Sequence, residues 1–335
     1  MGGNISVFRN GIKTAAEQIP LARIGRTNFT ESVKDILYTI NKAISCWNYN
    51  NIESGEIFNG SSQYVFSPEY NDDEIEQVKK SIGDVDIMID ESCRDELLKF
   101  FDSQTSPDFK GYIYNESLDQ IHSVFEIHGI NCQIDFEFTR FIQGAPSEFA
   151  RFSHSSSFED AEYGIKAVFH KLLIGAVTYT TAKNILIADE YTGNFVIPDK
   201  IPKFAVFSVV NGFKINYVPM YDKINKRYVT HHGLQVFTKN KSPYSTNVRR
   251  FYKYLFNINT LENYDLFWSF IGVCELIKQN FPRDKVNDIY NKFSDMLCYH
   301  KVSKNPEEDR KLKYNAYKAF IDILGFEDFF RFLGI

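Results

Sequence analysis

Apolar residues recur along the chain at two spacings, and each change of spacing marks a change of element. Across 29–48 (FTESVKDILYTINKAISCWN), Val33, Ile36, Leu37, Ile40 and Ile44 fall at helical intervals, with Thr30 placed to cap them. Residues 71–81 and 93–101 read as shorter helices. Between them the period drops to two. Val85, Ile87 and Ile89 leave a strand over 84–90 on one side, and Asp84, Asp86 and Asp90 on the other. The alternation returns from Ile121 to Phe138 around a turn at His128-Gly129, where Ile134, Phe136 and Phe138 oppose Gln133, Asp135 and Glu137.

Residues 158–178 predict one long helix, capped by Ser157. Asn211-Gly212, between apolar runs 204–210 and 213–218, predicts a tight hairpin. From about 245 onward the pattern is helical, over 246–256, 261–280, 284–300 and 307–324. The expected fold class is α/β (α+β): a domain on a mixed sheet over 1–190, then a basic β-hairpin segment and a mainly helical C-terminal domain over 191–335. The natural boundary lies between 180 and 200.

The 335 residues fit two domains, or one large domain with a helical extension, and the 44% hydrophobic content is enough for a proper core. With 31 Phe and 20 Tyr, much of that core is expected to be aromatic. Five cysteines, none in a CxxC pair, argue against a disulfide framework or structural zinc and fit a reducing cytoplasm. No apolar run reaches the roughly 18 residues of a membrane span, and the first 25 residues lack a secretory apolar core. Met1-Gly2-Gly3-Asn4-Ile5-Ser6 fits the N-myristoylation pattern, a short match that arises often by chance, so no lipid is expected.

The net charge of −5 conceals a partition. From Pro198 to Thr260 eleven Lys/Arg face two acids, a balance of +9 that leaves −14 for the rest. A basic face for a polyanion and a solvated lysine-rich surface explain this equally well.

Three features carry chemistry in order: Gly60-Ser61-Ser62 after a short apolar segment, Asp84 and Asp86 at i and i+2 of one strand, and Asp135 on the polar face of a later strand. Aspartates two apart on a strand share a face. With a third carboxylate they can hold a pair of divalent cations about 4 Å apart, the arrangement that neutralises a triphosphate and stabilises both attacking and leaving oxygens. Hard cations such as Mg²⁺ or Mn²⁺ take such oxygen ligands. A glycine admits close approach of phosphate, and serines offer donors. A lone Asp-x-Asp, a Gly-Ser-Ser turn or a strand aspartate is common; their ordered combination is far more specific.

Other residues compete with blander readings. Glu137 shares the face of Asp135 and is the alternative third ligand, or an ordinary solvent-facing residue. Asp90 lies too far along its strand. Lys166 and His170, at i and i+4 of the long helix, and the adjacent Lys171 can reach phosphate or merely form a polar helix face. His231-His232 and His154 read as turn and loop features. Arg249-Arg250 with Phe251-Tyr252 has the cation and aromatic mix that binds single-stranded nucleic acid, and equally the pattern of an amphipathic core helix.

Gly60-Ser61, Asp84-Val85-Asp86 and Ile134-Asp135-Phe136 together resemble the signature of the DNA polymerase beta-like nucleotidyltransferases over residues 55–140. Gly83 to Asp86 and Phe169-His170-Lys171 extend the resemblance, to about 220, toward the nucleotidyltransferases of large tailed bacteriophages. The twenty-two residues between Ser61 and Asp84 are more than many members have, so an insert must loop out there. The resemblance implies a catalytic domain over 1–190 in which Asp84, Asp86 and Asp135 bind two Mg²⁺ (or Mn²⁺) ions. Gly60, Ser61, Ser62, Lys166, His170 and Lys171 would hold a nucleoside triphosphate. The expected reaction transfers a nucleoside monophosphate to an acceptor hydroxyl. The +9 segment over 198–260 points to an RNA 3′ end, tRNA first. A protein or small-molecule acceptor, as in toxin-type members, and a catalytically silent nucleotide binder are the alternatives. The expected compartment is the cytoplasm, the host's if the chain is phage-encoded.

Overall fold

A computed structural model describes residues 5–182 and 246–326, and between them short strand segments by their backbone. The chain divides into two compact units, Met1–Ala167 and Val168–Ile335.

The first unit is built on a mixed five-stranded sheet. Its strands are β1 (Phe58–Asn59), β2 (Asp84–Asp90), β3 (Phe109–Asn115), β4 (Gln120–Ile127) and β5 (Ile130–Thr139), in the spatial order β1-β2-β5-β4-β3. Only β2 and β5 run parallel; β1–β2, β5–β4 and β4–β3 are antiparallel. The β4–β5 turn is the one expected, with His128 at φ 50° and Gly129 at φ 76°, a two-residue connection whose twist suits a hairpin.

The apolar faces of β2 and β5 (Val85, Ile87, Ile89, Ile134, Phe136) join one core with two helices. These are α1 (Arg26–Ile44), through Phe29, Val33, Leu37 and Ile40, and α3 (Arg94–Asp102), through Leu97 and Phe101. Burying each such side chain contributes about 1.5–3 kcal/mol, so register and burial enforce each other. The polar face is left to Asp84, Asp86, Asp135 and Glu137.

Helix α2 (Asp72–Val78) occupies the predicted insert and opens with a capping box, Asn71 accepting from the Glu74 N–H while Glu74 accepts from the Asn71 N–H. The insert loops out and leaves β2 intact. Helix α1 starts earlier than its apolar pattern suggested, at Arg26. Thr30 is inside it, its hydroxyl bonded to the Thr27 carbonyl.

Helix α4 (Glu148–His154) was not anticipated; its apolar residues alternate with polar ones over only two turns. The long helix expected over 158–178 is broken. Ser157 caps α5 (Phe158–Glu162) as expected, but Gly164 at φ 67° ends it, with Gly164 N–H bonded to the Ala161 carbonyl and Ile165 N–H to that of Asp160. The chain re-enters helix at α6 (Ala167–Ala182). Lys166 therefore precedes a helix that contains His170, and the two do not share a helix face.

The second unit comprises α6 with α7 (Val248–Phe256), α8 (Phe270–Asn280), α9 (Arg283–Tyr299) and α10 (Pro306–Leu324). The helix expected over 261–280 begins at Phe270. Ser269 is extended there and caps α8 by accepting from the Gly272 N–H, behind a short 3-10 turn at Tyr264–Trp268. The core is aromatic as composition implied: Phe169, Phe251, Tyr252, Phe256, Phe267, Phe270, Phe293 and Phe320 are all buried. Strands β6 (Lys203–Ser208) and β7 (Gly212–Tyr217) form the expected hairpin with a different register. Its closing pair is Ser208 with Gly212, so Gly212 opens β7 instead of completing a two-residue turn.

Among the described residues no helix is long and apolar enough to cross a membrane. The Met1-Gly2 pattern, His231-His232, and Lys239 and Lys241 of the basic segment lie outside the described residues, apart from Ile5 and Ser6 at the end of the first.

Candidate metal centre

The site follows from two strand registers. Alternation along β2 puts Asp84 and Asp86 on the polar face, and parallel pairing with β5 sets Asp86 opposite Asp135 and Asp84 opposite Gln133. Asp84, Asp86 and Asp135 each offer a carboxylate oxygen, all within 4.8 Å of one another. Asp135 is buried and the other two half-buried. Burial, then the charge of Asp135, raises the carboxyl pKa of Asp84. Burial pushes Asp86 well above the usual range, reinforced by Asp84, Glu137 and Asp135. Three such groups are costly to ionise together unless a cation joins them. The donor set is oxygen throughout, as hard divalent cations require, and it can bind a metal ion.

Glu137 stands one pleat further along, opposite Met88. Its carboxylate is engaged by Asn59 Nδ2 (2.5 Å), by Gln120 Nε2, and by His154 Nδ1 at 3.2 Å. Asp90 caps the turn after β2, accepting from the Ser92 N–H and hydroxyl. Neither belongs to the cluster.

The glycine turn closes the site from β1. Asn59 pairs with Asp86, and the chain then turns at Gly60 with φ 53°. Gly60 N–H donates to the His154 carbonyl at 3.0 Å, so His154, at the end of α4, supports the turn through its backbone. Ser62 is buried, its hydroxyl accepting from the Asp86 N–H at 3.1 Å. That bond fastens the turn to β2 and occupies Ser62 within the fold. Ser61 is half-buried and accepts from Lys79 Nζ.

Two polar residues brace Asp135. Gln133 Nε2 reaches its two oxygens at 2.9 and 2.8 Å, and His122 Nδ1 lies 2.9 Å from Oδ1. The Asp135 carboxylate, acting against burial, raises the pKa of His122. Sequence reasoning passed over His122, although the signal was present. A two-residue turn at 128–129 fixes the β4–β5 register, and that register sets His122 across from Asp135.

Of the three residues expected to reach phosphate from the long helix, only exposed Lys166 belongs to the first unit, where its charge bears on Lys79. His170 is buried in the second unit, its Nε2 bonded to the Phe267 carbonyl and its Nδ1 to Lys171 Nζ. Burial drives its pKa well below the usual value, so the ring is neutral. On α7, Phe251 and Tyr252 are buried and offer no face for stacking bases, whereas Arg249 and Arg250 are exposed.

No family model, curated protein or solved structure matches the chain.

Proposed function

We propose that the chain is a metal-dependent nucleotidyltransferase. One observation carries the reading: three carboxylates from adjoining parallel strands converge within 4.8 Å, with the backbone of a left-handed glycine turn against one of them. Asp84, Asp86 and Asp135 would hold divalent ions, Mg²⁺ or Mn²⁺ by the chemistry of the donors. Such ions neutralise the triphosphate and stabilise the attacking and leaving oxygens. In the reaction, the acceptor oxygen bonds to the α-phosphorus as the bond to the β-phosphate bridging oxygen breaks. Pyrophosphate departs with that electron pair, and the acceptor proton passes to solvent or a carboxylate. The protein's part is to set the site before substrate arrives, through Gln133 and His122 on the Asp135 carboxylate and Ser62 on the backbone N–H of Asp86.

The proposed acceptor is RNA, on the charge of the segment over 198–260. Incubating the protein with each α-labelled nucleoside triphosphate, Mg²⁺ or Mn²⁺, and either total RNA or total protein tests both parts. The expected outcome is label in RNA, absent with Asp86→Asn. Label in protein moves the acceptor and keeps the chemistry. No transfer from any triphosphate, with binding intact, leaves a silent nucleotide binder.

A further inference from the structure

The insert between the glycine turn and β2 is firmly anchored. Arg26 of α1 donates to the carbonyls of Val65 (2.7 Å) and Tyr70 (2.8 Å) and pairs with Asp72 at 3.2 Å. At the far end α2 stops at Val78, and Lys79 is extended at φ −140° and ψ 102°. Its side chain returns to the glycine turn, where Nζ donates to Ser61 Oγ.

Lys79 is half-buried, yet among the described residues no carboxylate lies within the 4.0 Å of an ion pair. Burial depresses its pKa, while the nearby charges of Asp84 and Asp86 favour the ammonium and that of Lys166 opposes it. A partly desolvated cation without a carboxylate at ion-pair distance, near a second cation, costs the fold stability. Its donors fit a ligand instead. One N–H is spent on Ser61, leaving two ammonium protons to donate.

We propose that Lys79 holds the β- and γ-phosphates of the triphosphate, the portion that departs as pyrophosphate, and that the insert serves to deliver it. This rests on the nucleotidyltransferase reading. The carboxylate cluster repels the triphosphate, and a lysine point charge beside the glycine turn offsets that repulsion where the terminal phosphates would lie.

The test titrates inorganic pyrophosphate, and separately a nucleoside triphosphate and a nucleoside monophosphate, into Mn²⁺-loaded wild-type, Lys79→Met and Lys79→Arg proteins, with Mn²⁺ alone in parallel. Loss of a charge-assisted bond should weaken pyrophosphate binding by Lys79→Met about 10- to 100-fold. Monophosphate and Mn²⁺ affinities should stay near wild-type, Lys79→Arg should recover part of the loss, and Lys79→Met should melt no lower than wild-type. Near-normal pyrophosphate binding by Lys79→Met overturns the role of Lys79 and leaves the proposed function standing. A Lys79→Met protein that melts well below wild-type assigns the residue to the fold and also overturns it. Wild-type protein that binds Mn²⁺ but neither pyrophosphate nor triphosphate overturns both readings.

Discussion

A Cβ placed on Gly60 would stand 2.8 Å from Oδ2 of Asp86. The turn and the Asp86 carboxylate are thus fitted to each other, since φ 53° at this position also disfavours a side chain. Gly60→Ala should displace the Asp86 carboxylate, lowering Mn²⁺ affinity about tenfold and destabilising the fold by about 1–2 kcal/mol. Mn²⁺ titration and denaturant unfolding measure the two effects separately. Unchanged metal affinity would show that the contact does not position Asp86 as a ligand.

Asp86→Asn removes one of three crowded negative charges while nearly preserving shape. It should abolish transfer, yet stabilise the metal-free protein by about 1 kcal/mol because burial and like charge penalise the native carboxylate. Thermal melts in a chelator check the sign. Adding Mn²⁺ should then raise the melting temperature of wild-type but not of the variant.

The raised carboxyl values of Asp84 and Asp86 fix a pH dependence. Their folded values lie above the unfolded ones, so the folded state binds the extra protons. In chelator, their contribution is fully present below the unfolded carboxyl range and is lost as pH rises from there through the raised folded values. Metal requires the deprotonated ligands, so Mn²⁺ affinity should climb over that same window. Melting temperatures at a series of pH values, with chelator and with Mn²⁺, should show the two trends diverging.

For the acceptor, reversing Arg249 and Arg250 to Glu tests the RNA reading at exposed positions of α7. RNA binding should weaken and its dependence on log salt should flatten by about two or more, with triphosphate binding unchanged. Acceptor use indifferent to both reversals would favour a protein or small-molecule acceptor.

The residues that alternate were the most legible. The β2 pattern and the His128-Gly129 turn gave the strand faces and the β4–β5 register, whereas the parallel β2–β5 pairing that brings Asp84, Asp86 and Asp135 together is a long-range contact that periodicity does not encode. Local backbone geometry was harder to read. Gly164 breaks a helix whose apolar spacing continues straight past it, because the left-handed cap costs glycine little and leaves no trace in the periodicity. Aromatic character was ambiguous in the same way: Phe251 and Tyr252 look identical in sequence whether they face bases or a core. Lys79 was out of reach, since its position depends on its own extended backbone after α2 and on the anchoring of that helix by the pairing of Arg26 with Asp72, two residues far apart in the chain.

The parallel pairing of β2 with β5 carries a further consequence. Asp86 and Asp135 are about fifty residues apart in the chain and become neighbours only when these two strands align in one register. A slip by a single residue would send the Asp135 side chain to the opposite face. The unfolded chain therefore holds these carboxylates apart, and a bound divalent ion would report strand alignment. Metal affinity should appear during refolding only when the β2–β5 pair closes, later than the locally connected β4–β5 hairpin can form.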